Sequence, residues 1–259
     1  MGTSYIVQER QEQHVNIDHS HRLESVQIAV NYNKDFNGNA VINVDEIITS
    51  PSVTFDLKLD YEKLQDVFWI EQTEDKEQGV YSLVIRADEY YNHDSCISID
   101  INICVPDVHT LSTLAISLAN NGISIKESLI FEKLTVSVAN GHIEFEGISS
   151  GITIFTVANG HVSDKINNLS NDSTSSVANG HTEISIKQIE QTSTDNIRVR
   201  VVVANGHIDL EVPSSFKGQF QLESFAGRCI VGSTFSRRIH RRSGRWGAIL
   251  GYYGNDRNT

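Results

Sequence analysis

Among its 259 residues the chain has three Pro, three Cys, one Met and two Trp. So few prolines exclude collagen-like and Pro-rich chains, and so few cysteines exclude a disulfide scaffold. Cys96, Cys104 and Cys229 contain no CxxC pair and no metal-finger spacing. Cys96 and Cys104 share one extended run, too far apart to bridge, so three free thiols are expected. No stretch approaches 18 consecutive apolar residues, which leaves no candidate for a spanning helix. The start, MGTSYIVQERQEQHV, lacks a basic n-region and an apolar run. Ile6 stands where a myristoylation signal wants Ser or Thr. These absences favour a cytoplasmic location over an unconventional route to the cell surface, although Asn168-Leu-Ser and Asn171-Asp-Ser match the glycosylation acceptor triplet. HExxH, Walker and GxGxxG patterns are also missing, so no cofactor and no catalytic residue is expected.

What is present is a repeat. The chain reads LANNGI at 118–123, VANGHI at 138–143, VANGHV at 157–162, VANGHT at 177–182 and VANGHI at 203–208. The aligned asparagines are Asn120, Asn140, Asn159, Asn179 and Asn205, at steps of 20, 19, 20 and 26. A degenerate sixth copy is visible at 225–229, with Ala226 in the Asn slot. Around each turn the apolar residues alternate: Leu134, Val136 and Val138 before it, Ile143 and Phe145 after it. That is strand period, and the β-branched residues and recurrent Gly oppose a helix. Two short strands and two turns account for the step. The predicted fold is therefore all-β, a β-solenoid or parallel β-helix-like stack of about 19–20-residue coils about 4.8 Å apart. The competing prediction is a set of antiparallel hairpins with type I′ Asn-Gly turns, which explains one turn but not identical residues in every unit.

In the stacked reading Gly141, Gly160, Gly180 and Gly206 make the corner, and each preceding Asn bonds its amide to the Asn above as a buried ladder. Ile143, Val162 and Ile208 point inward, and Thr182 weakens the third copy. The polar residues 170–176 predict a short, partly exposed strand there, and 188–196 a loop carrying the extra residues of the long step. Residues 1–105 form a β-rich region of irregular coils or a small sheet capping the stack, with strands at 26–30, 40–44, 53–59, 80–85 and 96–105. Pro106 ends the last of these. The stack itself spans 106–235, and 236–259 is a basic, aromatic cap or tail.

Net charge is −12, from 33 acidic against 21 basic residues, which argues against nucleic acid as a partner. The segment 237–259 runs the other way, with six Arg and one Asp beside Trp246, Tyr252 and Tyr253. It is expected to close the last coil and pair with the acidic body; membrane contact is the lesser alternative. The chain is expected to be a monomer.

The Val105-Pro106 opening, the ANGH copies, and Val212-Pro213 followed by 220–227 resemble the putative-adhesin domain-of-unknown-function family, repeat proteins of bacteria and fungi. The resemblance covers about 105–235. It implies a non-enzymatic, adhesin-like surface for an unidentified protein or glycan partner.

The candidate binding residues are His142, His161, His181 and His207, which share one outward slot beside Glu144, Ser163, Glu183 and Asp209. Stacked imidazoles are a structural ladder or, alternatively, a transition-metal site, although a line of ligands lacks tetrahedral corners. No metal is assigned. A carbohydrate-active β-helix would need paired acids in a groove. Here the acids are dispersed, and Asp45-Glu46 and residues 74–77 read as solvated loop charge.

Overall fold

Identical turns at a near-constant step build columns only if each unit lies in register on the last, and the strand pairing has that form. The computed structural model describes residues 13–16, 25–31, 36–37, 39–48, 52–59, 68–75, 80–87, 97–109, 111–190, 197–233, 240–243 and 248–253. Every regular element among them is a strand. The N-terminal strands are β1 (Gln13–Asn16), β2 (Ser25–Asn31), β3 (Phe36–Asn37), β4 (Asn39–Val44), β5 (Ser52–Leu59), β6 (Phe68–Asp75), β7 (Val80–Ala87) and β8 (Ile97–Val105). The repeats occupy β9 (Thr113–Ile125), β10 (Ile130–Ile189), β11 (Ile197–Val212) and β12 (Gly218–Ser233), followed by β13 (His240–Ser243) and β14 (Ala248–Tyr253).

The repeats pair parallel. Asn140 lies opposite Asn120, Asn205 opposite Asn179, and Ala226 opposite Asn205. The degenerate copy at 225–229 is thus a full member of the array, and antiparallel hairpins are excluded for these units. Within the 60 residues of β10, Asn159 Nδ2 donates to Asn140 Oδ1 at 2.7 Å. Nineteen extended residues would span about 63 Å at roughly 3.3 Å each. The strand therefore curls back on itself once per unit. It does so without a break at the Asn-Gly, contrary to the expectation of two strands divided by a turn, because neighbours on both sides keep the backbone paired through the bend.

Alternation settles which face is the core. Leu134, Val136, Val138, Ile143 and Phe145 are buried, as are Val199, Val201, Val203, Ile208 and Leu210 at the equivalent slots. Residues 170–176 are partly exposed, as expected, Asn171 being exposed, but they correct the reading of a short strand. They continue β10, and Ser173 and Ser175 are fully buried. Thr153 Oγ1 and Ser173 Oγ, facing each other at 2.8 Å, satisfy one such pair, so register carries polar residues into the core where hydropathy alone would leave them outside.

The N-terminal region continues the layers. β2 pairs parallel with the first half of β9, and β4 with its second half, so the two together replace one unit. β7 lies parallel on β2 and β8 parallel on β4. Antiparallel β6 and β5 then follow, with β1 on β5. At the other end β14 pairs antiparallel with residues 218–223 of β12, and β13 with β14. The basic segment thus does add strands to the last unit. Parallel pairing gives way to antiparallel pairing at both ends of the described sheet. Four of the five expected N-terminal strands lie within observed ones. The fifth is β8 from Ile97 on, Cys96 lying outside the described residues. Glu74 and Asp75 belong to β6 rather than to a loop, paired across to Tyr81 and Val80. Residues 191–196, where the extra loop was expected, lie outside the described residues, while Gln188 and Ile189 are still strand.

Candidate interaction face

The turn is built from three neighbouring columns. The first is glycine: Gly160 and Gly180 have φ of 141° and 138°, and Gly206 and Gly227 continue the column. A Cβ at Gly160 would fall inside the carbonyl oxygen of Gly141, and one at Gly180 inside that of Gly160. Backbone thus packs on backbone, and no other residue fits.

The second column is asparagine. Nδ2 of Asn140, Asn159, Asn179 and Asn205 each donates to Oδ1 of the Asn one unit before, at 2.6, 2.7, 2.8 and 2.8 Å. This is the expected amide ladder, but it is not buried: all four donors are exposed. The bend points these short side chains outward, so the ladder ties units together at the surface, each bond contributing about 1 kcal/mol.

The third column is histidine. His142, His161, His181 and His207 stack with ring centroids 5.3, 5.0 and 4.9 Å apart and planes within 11°, 3° and 2°. The spacing is that of neighbouring strands, so the ladder imposes the stack. The column begins on Gly122, where a Cβ would collide with the His142 ring, and ends on Arg228 in register with His207. His161 titrates below its ordinary value, chiefly through burial, then through the like charges of His181 and His142, with Glu144 opposing. Ions bound to imidazole sit about 2.1 Å from nitrogen, so one ion bridges at most about 4.2 Å. Equivalent atoms of parallel rings here are about 5 Å apart. Among the described residues no cluster of three or more His, Cys, Asp or Glu is placed to hold a metal.

Beside the histidines runs a row of Glu144, Ser163, Glu183 and Asp209, with Glu183 opposite Asp209 in the ladder. A second outward row holds Ser185, whose hydroxyl donates to Glu211 at 3.1 Å. Cys104 and Cys229 are not in disulfides, and both are half-buried. Of the two acceptor triplets, Asn171 is exposed, whereas Asn168 is half-buried and donates through Nδ2 to Glu190 at 3.0 Å. The side chains of the Arg-rich segment lie outside the described residues.

Sequence reasoning passed over Asp164. It is 1% exposed, neither carboxyl oxygen has a hydrogen-bond partner, and burial pushes its carboxyl well above the usual range. A signal was available: Asp164 falls two residues after the inward Val162, in the slot Phe145 and Leu210 fill in other units.

No family model matches the chain, and no curated protein matches it. Among solved structures it is similar to a putative cell adhesion protein from Clostridium sporogenes, at 11% identity over 96% of this chain and 92% of that one, TM-score 0.40. It is also similar to a putative adhesin from Bacteroides fragilis, at 12% identity over 87% and 97%, TM-score 0.43. A putative adhesin from Parabacteroides merdae follows at 14% identity over 87% and 96%, TM-score 0.33. Each is a loose likeness in overall shape.

Proposed function

We propose that this chain is a β-solenoid serving as a rigid, non-catalytic, adhesin-like interaction module, with a glycan or protein as partner. The observation that carries this reading is the periodic face. Asn and His side chains recur about 5 Å apart along consecutive units, beside a largely acidic row, at the spacing the backbone pairing sets. A repeating surface of this kind suits a repeating ligand, because weak contacts at successive units add through effective concentration. The charged rows supply polar groups for such contacts without a cleft. The acids beside the histidines are spread along the rows, which suits contact better than paired acid–base hydrolysis.

The test is binding of the full chain to immobilised glycan and matrix-protein panels, compared with a His161→Ala/His181→Ala variant. Saturable binding by the wild type that falls at least about tenfold in the variant supports the reading. No binding to either panel, with release of sugars from a polysaccharide panel, would replace it with the carbohydrate-active alternative.

A further inference from the structure

Two phenylalanines show how inner side chains of successive units meet. Phe145 follows the turn of the first ANGH unit and Phe155 precedes the turn of the second, with ring centroids 5.4 Å apart. The steps of 19 and 20 residues set by the Asn ladder carry these positions to Asp164 and Ser175 one unit later. The contact filled by two aromatic rings at one junction is thus occupied by a carboxyl and a hydroxyl at the next. Thr182, at the slot of Ile143, lies in the same unit as Ser175, two residues before Ile184, the register neighbour of Asp164.

Asp164 is 1% exposed and Ser175 and Thr182 are 0% exposed. Both carboxyl oxygens and both hydroxyls are without hydrogen-bond partners. The register neighbours of Asp164 are Phe145 and Ile184, both buried and apolar, and the opposite arm presents Phe155 and Ser175. All of these lie in β10. The titratable groups of these arms, Glu144, Glu146, His161, Lys165, His181, Glu183 and Lys187, with Asp172 on the opposite arm, are on the outward side of the alternation, so none faces the carboxyl.

We infer that Asp164, Ser175 and Thr182 form one enclosed polar site that keeps Asp164 as the neutral acid and makes the junction of the second and third ANGH units an alkali-sensitive joint. An anion there would lose its hydration with no donor and no cation in exchange. A neutral carboxyl has a proton to donate to a neighbouring hydroxyl, which the anion lacks. The upward displacement of the carboxyl by burial agrees with this arrangement. The sign follows. A carboxyl whose folded pKa is raised contributes fully below the unfolded value of about 3.9, and its contribution is lost as pH rises through the folded value. The joint is strongest in acid. This inference is independent of the proposed function.

The test compares thermal unfolding of the full-length wild type and Asp164→Asn from about pH 4 to about pH 8. The amide mimics the neutral acid but cannot ionise. The expected result is a matched pair in acid. The wild type then falls behind by about 3 °C per pH unit until its carboxyl is ionised in the fold. A gap that does not change with pH, or a variant less stable at the alkaline end, would overturn the inference. If Asp164→Asn does not fold, infrared spectroscopy of the wild type alone decides. A protonated-carboxyl band persisting near neutral pH and disappearing in alkali supports the inference, and its absence at neutral pH overturns it.

Discussion

The second and third ANGH units share their turn with the first and the fourth, yet their interiors differ. The first presents Leu134, Val136, Ile143 and Phe145 to the core, and the fourth Val199, Val201, Ile208 and Leu210. The middle two bury Thr153, Asp164, Ser173, Ser175 and Thr182 at the same slots. Register is unbroken across all four. The geometry of the stack thus resides in the turn columns and the backbone ladder, while the core composition of any one unit can vary. A polar unit is carried in place by apolar units on either side, as expected of an array whose stability is a sum over nearest-neighbour interfaces.

The largest effect belongs to the turn. Gly180→Ala puts a methyl into the Gly160 carbonyl and should cost about 4 kcal/mol or prevent folding. A stability near wild type in urea denaturation would show that the columns tolerate displacement and that the turn does not set register. Next comes the core contrast: Leu134→Ala should cost about 3 kcal/mol, against about 1 kcal/mol for Ser173→Ala at the same slot two units on. Equal losses would mean that the middle units are packed as tightly as the first. Asn159→Ala removes an acceptor for Asn179 and a donor to Asn140, and should lower stability by about 2 kcal/mol. Thr182→Val removes one hydroxyl of the enclosed polar site and leaves Ser175 to meet the Asp164 carboxyl, so a small loss, below about 1 kcal/mol, is expected. A gain in that variant would show that the Thr182 hydroxyl lies outside the site.

The smallest effect is the pH dependence of the histidine column. His161 titrates below its ordinary value, so the unfolded chain binds its proton first as pH falls below about 6.5, and stability declines through that window. Its slope is opposite to that of Asp164 and the two windows overlap below about pH 6.5, so their contributions are separated with His161→Gln and Asp164→Asn. A melting temperature at about pH 5.5 equal to or above that at about pH 7.5 in Asp164→Asn would contradict the histidine account.

Much of this was legible in the chain. The repeat step, the strand period and the inward Ile143, Val162 and Ile208 follow from residue spacing, as does membership of 225–229 in the array. Hydropathy misread residues 170–176, because Ser and Thr are polar in isolation yet are held inside by neighbours in register. It also left Asp164 unnoticed, and treated the asparagines as buried when the bend turns them outward. Charge likewise misplaced Glu74 and Asp75, whose strand is set by pairing with β7.

By itself the sequence determined that the chain is all-β, that its units recur and which slot each residue takes, because periodicity and glycine are local properties. Tertiary structure alone decided that β2 and β4 together stand in for a unit and that β14 pairs antiparallel with the last one. Those outcomes depend on which strand lies beside which, and hydrogen bonds between distant strands leave no signature in any single segment.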